Sequence, residues 1–130
     1  MEDFRKTYTS DHIEFLGYLP QKELLLIIQQ ARFCVIPSIW YENNPFSIIE
    51  SLCLGTPVLG ATIGGIPELI TVGINGDLFT PGHINELRAK IIDCFGYFTE
   101  DYPFEKIAID AQNKFSSETF YVKLMKIYGY

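Results

Sequence analysis

Two short apolar runs on either side of one helix-length segment constrain this chain more than any other feature. "RFCVIPS" (32–38) is apolar and is stopped by Pro37. "TPVLGA" (56–61) follows Gly55 and is equally short and apolar. Runs of this kind, continuous and not alternating, are strands buried on both faces, as in parallel sheets. The segment between them, "NPFSIIESLCLG" (44–55), reads as a helix with Asn44 as N-cap, Pro45 at the first helical position and Gly55 at the end. Strand, helix, strand predicts a parallel pair joined by a crossover.

The rest of the chain extends that pattern. "HIEFLGYL" (12–19), ending at Gly17, reads as a further strand. "PQKELLLIIQQA" (20–31) reads as a helix with Leu24, Ile27, Ile28 and Ala31 on one face. "GGIPELI" (64–70) is a Gly-rich turn leading into one or two helical turns, and "NGDLF" (75–79) a turn into a fourth short strand. Segment 83–98 carries Ile84, Leu87, Ile91, Cys94, Phe95 and Phe98 at helical spacing. Two more helices fit 103–128, with Phe104, Ile107 and Ala111, then Phe120, Leu124 and Ile127 facing inward. The aromatic tail, Phe115 to Tyr130, reads as core packing. There is no internal repeat, low-complexity tract or linker. The expected fold is α/β: one domain, a parallel sheet with helices on both faces, ligands binding beyond the C-terminal strand ends.

Composition excludes several classes of function. The 130 residues carry a formal net charge of −6, which argues against a phosphate-backbone binder and for no nucleic-acid partner. The longest wholly apolar stretch, Leu24 to Ile28, is far short of the ~20 residues that span a bilayer. The start, Met-Glu-Asp-Phe-Arg-Lys, has no apolar signal region. Cys34, Cys53 and Cys94 lie in apolar segments without CxxC spacing, so they read as free thiols in a reducing compartment, and no metal-ligand spacing appears. His12 and His83 stand alone, as surface histidines do. The expected location is cytoplasmic, and nothing in the sequence supports contact with a membrane.

The loop before the central helix carries the chemistry. "YENNPFSIIE" (41–50) places Glu42 ahead of the helix and Glu50 inside it. Phe46, Ile49 and Cys53 are expected to face the sheet, which puts Glu50 on the border of that stripe. A border glutamate is ordinarily paired with a cation or reaches solvent. Residue type alone favours that ordinary role, because Glu is rarely fully buried. The helix start also has two readings. The amides of Phe46, Ser47 and Ile48 have no intrahelical acceptor, so the end is either merely capped or an anion site suited to phosphate. In combination the features are more specific. A phosphate at the helix mouth leaves Glu50 about one turn deeper, at ~1.5 Å per residue, where its carboxylate can accept from a ribose diol. Glu42, on the loop side, can accept from a hydroxyl-rich group on the same phosphate. Diol, phosphate, polyol is the order of a nucleotide sugar.

Residues 38–70 resemble the donor-binding half of retaining glycosyltransferases of GT-B architecture, the group called family 4. Three motifs carry the resemblance in order: Glu42-x7-Glu50, Gly55-Thr56-Pro57-Val58, and Gly64-Gly65-Ile66-Pro67-Glu68. "FLGYLP" upstream and "NGDLFTPG" downstream extend it over about 12–95. The resemblance implies a three-layer Rossmann-like fold, incomplete here, that binds a nucleotide-diphosphate sugar without metal or other cofactor. It implies that Glu42 holds the transferred sugar and stabilises charge as the bond to phosphate breaks. It implies that Glu50 takes the ribose hydroxyls and that the amides near Asn43, Asn44, Phe46 and Ser47 hold the diphosphate. Gly17, Tyr18 and Leu19 would lie near the base. Asn43-Asn44-Pro45 stands where many members have Gly-Phe-Gly, which removes one amide from the phosphate cradle.

The resemblance also says what is missing. The acceptor domain and the first βα units of the donor domain, with their Arg and Lys at the diphosphate, have no counterpart. The basic residues before Glu42 are Arg5, Lys6, Lys22 and Arg32, none of them in that motif. The isolated chain is therefore expected to transfer no sugar and to need the missing N-terminal half or a partner chain. The missing strands belong between 13–17 and 33–36. That leaves two strands to close up directly, or an open edge that another chain fills, predicting a homodimer or a rearranged sheet. A nucleotide-sugar-binding subunit with a separate catalytic partner, and an interaction domain without donor binding, are the alternatives. A receiver-type phosphoacceptor domain needs clustered acids at the first strand end, and "FLGYLP" offers none.

Overall fold

The computed structural model describes residues 10–129. Arg5, Lys6 and Tyr130, named above, lie outside the described residues. In chain order the elements are α1 (Gln21–Gln30), β1 (Cys34–Ile36), α2 (Phe46–Cys53), β2 (Val58–Ala61), α3 (Ile66–Leu69), β3 (Gly76–Phe79), α4 (Ile84–Tyr97), α5 (Phe104–Lys114) and α6 (Ser117–Ile127). The strands form one parallel sheet in the order β1-β2-β3. Cys34 pairs with Val58, and Val58 with Gly76.

The period of two along each strand sends side chains to two cores. Val58 joins Ile48 and Leu52 of α2, Ile66 and Leu69 of α3, and Ile107 and Ala111 of α5 on one face. Leu59 and Ala61 join Phe79, Cys94 and Phe98 on the other, under α4. An aromatic chain of Phe33, Phe98, Tyr102 and Phe104 closes that second layer. The three layers, helix, sheet and helix, are those the alternating pattern predicts.

Four expectations are corrected. Segment 12–19 is not a strand: apart from a bridge between Ser10 and Ile13 it is irregular, and Gly17 turns at φ 70°. A strand of this composition needs a neighbour to pair with, and β1 does not take it. The two do not close up, and β1 is an open edge among the described residues. Its three residues are half-buried, whereas those of β2 are all buried. Second, α2 buries Ile48, Ser51 and Leu52 rather than a stripe headed by Phe46, which is 75% exposed. The helix packs against the sheet and α5, and Ile48 and Leu52 lie in the core they share. Third, Leu24 and Ile27 of α1, and Ile84 and Phe95 of α4, are exposed. Fourth, the aromatic tail is not core: Phe120, Tyr121, Ile127 and Tyr128 are exposed, with Leu124 half-buried.

Among the described residues no helix is long and apolar enough to cross a membrane. Cys34, Cys53 and Cys94 are all free thiols. Burial pushes the Cys94 thiol up to about 11.

Candidate functional site

The loop 38–45 leaves the C-terminal end of β1 and enters α2, while the turn 62–65 leaves the C-terminal end of β2. Parallel neighbours put these two connections side by side. They touch: the Gly65 amide donates to the Glu42 carbonyl at 2.7 Å. The Ser38 hydroxyl lies 3.4 Å from Glu42 Oε1 and 3.2 Å from the Trp40 carbonyl, and it accepts from the Trp40 amide at 3.3 Å. Glu42 is thereby fixed, half-buried, at the sheet's C-terminal edge.

The helix begins one residue later than the sequence suggests. Pro45, buried, occupies the N-cap position with φ −64° and ψ 113°, and no side chain caps the end. Asn44 is exposed and is not the cap. A proline one position before the first helical turn already fixes the entry, so a side-chain cap is not needed to set it. The Ile48 amide, expected to be free, donates to the Pro45 carbonyl at 3.1 Å. The amides of Phe46 and Ser47 have no acceptor among the described residues. Two orphan donors thus stand at the positive end of the helix, one fewer than the three expected.

Glu50 is half-buried one turn further along α2. Its carboxylate has no ion pair among the described residues, where Lys90–Asp77 is the pair formed, and no hydrogen bond. The ordinary border role, a neighbouring cation, is therefore not filled within this chain. Asn43 and Asn44, just before the start of α2, are exposed. Among the described residues no hydrogen bond or ring contact brings Gly17, Tyr18 and Leu19 to that helix start, and Tyr18 is 95% exposed. Among the described residues no three metal-ligating side chains converge.

Sequence reasoning missed three contributors. Ser38 gives no signal beyond its place just after a strand. Gly64 and Gly65 appeared only as a motif, not as a contact surface for Glu42. Lys114 and Lys123 come from helices far along the chain, yet they line a cavity of about 450 Å³ together with Asn44, Phe46, Ile49 and Phe120. They bring positive charge near the start of α2, although Lys114 also stacks over Phe115. Arg32 is spent elsewhere, on the Phe95 carbonyl and ring.

Comparison with known proteins identifies the family. The family model described as glycosyl transferases group 1 matches residues 3–95. An uncharacterized glycosyltransferase of Methanocaldococcus jannaschii is 26% identical over 128 residues, covering 98% of this chain and 36% of the relative. The sucrose-phosphate synthase of Thermosynechococcus elongatus superposes with a TM-score of 0.80 at 25% identity, over 98% of this chain and 32% of that one. The Anabaena protein HepE, solved in complex with UDP, superposes with a TM-score of 0.68 at 25% identity, over 79% and 29%. The chain thus spans about a third of the length of these relatives.

Proposed function

The chain belongs to the glycosyl transferases group 1 family and has part of the GT-B fold, and from that premise we propose that it is the donor-binding part of a retaining glycosyltransferase. Residues 1–130 are read as one partial nucleotide-sugar-binding domain. The whole enzyme would transfer a sugar from a nucleotide diphosphate to a glycan or a lipid-linked acceptor.

One observation carries the reading: two carboxylates with no ion pair among the described residues flank two orphan helix amides at the C-terminal ends of parallel strands. The amides of Phe46 and Ser47 would donate to the diphosphate. Glu50, one turn deeper, would take both ribose hydroxyls. Glu42 would face the sugar and stabilise positive charge on it as the bond to the diphosphate breaks. A UDP-bound structural neighbour supports a nucleotide as the occupant. Asn43 and Asn44 would border the diphosphate. Gly17, Tyr18 and Leu19 would lie near the base.

Charge at the leaving group decides activity in such chemistry. Lys114 and Lys123 are the cations near the start of α2 in this chain. The isolated chain is accordingly read as inactive until the missing half, or a partner chain, supplies the basic clamp and the acceptor site. The open edge of β1 is where that polypeptide, or a second copy of this chain, would pair. Three free thiols fit a cytoplasmic setting. The second reading, a nucleotide-sugar-binding subunit with a separate catalytic chain, is favoured by the same open edge.

Calorimetric titration of the chain with UDP, GDP and ADP tests the reading, with Glu50→Ala alongside. Binding of one nucleotide, lost in the variant, is the expected result. Binding that survives Glu50→Ala, or no binding at all, would remove the donor site from this fragment.

A further inference from the structure

Glu42 sits on a loop that has no regular structure from residue 37 to residue 45. Its carboxylate can act on a sugar only if that loop holds one shape. Two independent features fix it, and neither touches the nucleotide in the reading above.

The first is the turn after β2. Gly65 has φ −83° and ψ −2°, a conformation open to any residue. Its lack of a side chain is explained by neighbours instead. A Cβ there would overlap the Asn43 carbonyl oxygen and come within 3.0 Å of its carbon. At Gly64 both reasons apply: φ is +57°, and a Cβ would collide with the Glu42 carbonyl oxygen and lie 2.8 Å from the Glu42 nitrogen. The bare backbone of 64–65 is thus a flat seat for the backbone of 42–43, latched by the Gly65 amide on the Glu42 carbonyl.

The second is Ser38. A hydroxyl carries one proton, and here two acceptors compete for it, the Trp40 carbonyl and Glu42 Oε1. The hydroxyl also accepts from the Trp40 amide. When a ligand hydroxyl engages the Glu42 carboxylate, the Ser38 proton can turn to the Trp40 carbonyl. The loop then stays closed while the carboxylate is released to its ligand.

We propose that Ser38 and the Gly64–Gly65 turn are the positioning residues of Glu42, the turn seating its backbone and Ser38 aiming its carboxylate. The consequence for sugar transfer rests on the reading of Glu42 given above. The positioning itself does not.

The test is NMR of the whole chain labelled with ¹³C at the glutamate carboxyls, the Glu42 signal being identified by its loss in Glu42→Gln. The Glu42 resonance should move in Ser38→Ala and return towards the original position in Ser38→Thr, which restores the hydroxyl. It should move in Gly65→Ala and stay in place in Gly96→Ala, where a Cβ meets nothing within 4 Å. Amide exchange over 39–45 should be about fivefold faster in Gly65→Ala, the factor expected for one lost hydrogen bond. A resonance indifferent to Ser38→Ala, or one that Ser38→Thr leaves displaced, overturns the proposal. If Gly65→Ala does not fold, the two Ser38 variants decide alone. Parallel titration with UDP, GDP and ADP keeps the two ideas apart. Absence of binding to the unmodified chain defeats the donor reading, while the Glu42 resonance still decides the positioning.

Discussion

The amide of Gly65 donates to the carbonyl of Glu42 at 2.7 Å, joining the connection after β2 to the connection after β1. A motif glycine and a motif glutamate, 23 positions apart, are therefore one structural unit.

The stability of that unit can be read from glycine substitutions. Gly65→Ala forces a methyl against the Asn43 carbonyl and should cost about 1–3 kcal/mol, the usual range for overpacking. Gly96→Ala, inside α4 with open space around it, should instead stabilise by about 0.5–1 kcal/mol. Urea unfolding of the two variants checks both signs. Equal midpoints would mean that the 42–43 backbone yields freely.

A second polar join ties α1 to the sheet. Ser51, fully buried, donates to the Thr56 carbonyl at 3.0 Å, and Thr56 Oγ1 donates to the Ile28 carbonyl at 2.7 Å. Helix α1 buries none of its residues, so this bond matters more there than it would under a packed helix. Thr56→Val keeps the shape and removes the donor. It should cost about 0.5–1.5 kcal/mol, the net worth of one hydrogen bond, because the Ile28 carbonyl keeps the Ala31 amide as a donor. Hydrogen exchange should show α1 opening more often while β2 keeps its protection.

Alkaline pH should destabilise the chain. Burial raises the Cys94 thiol from 9.0 to about 11, so the folded state holds this proton where the unfolded state releases it. The contribution is complete below about pH 9 and is lost as pH rises through about 11. Lys90, raised mainly by its hydrogen bond to Asp77, acts in the same direction. Urea midpoints should therefore fall from pH 9 to pH 11, and less steeply in Cys94→Ala. An unchanged slope in that variant would assign the loss to other groups.

Much of this was legible in the sequence because the signals were local. Pro37 and Gly55 bound β1 and α2 where expected, and Val58 to Ala61 needed no alternation to read as a fully buried strand. The errors share one cause. Whether Ile13, Phe15 and Leu16 form a strand, or Leu24 and Ile27 a buried face, depends on neighbours that these residues do not specify. Phe46 misled in the same way, since helical spacing finds a stripe but not the helix packed against it. Ser38, Lys114 and Lys123 were invisible because their roles arise from contacts between distant segments. The spacing singles out the two glutamates, while the absence of an ion pair to either among the described residues needed coordinates.

The unpartnered surface leads to the last prediction. Exposed apolar side chains gather before and along α1, with Ile13, Leu16, Leu24 and Ile27, and the edge of β1, unpaired among the described residues, follows closely in the chain. An edge strand with apolar residues nearby pairs with whatever offers the same, and at high concentration that is another copy of this chain. Sedimentation equilibrium should show concentration-dependent dimerisation. Leu24→Gln with Ile27→Gln, both at exposed positions, should weaken it about tenfold or more, since each removes over 1 kcal/mol of apolar burial. The same double variant should leave the urea midpoint of the monomer nearly unchanged, because neither side chain is in the core. A monomer at all concentrations would mean that the edge is shielded by residues near it, and that only a longer polypeptide completes the sheet.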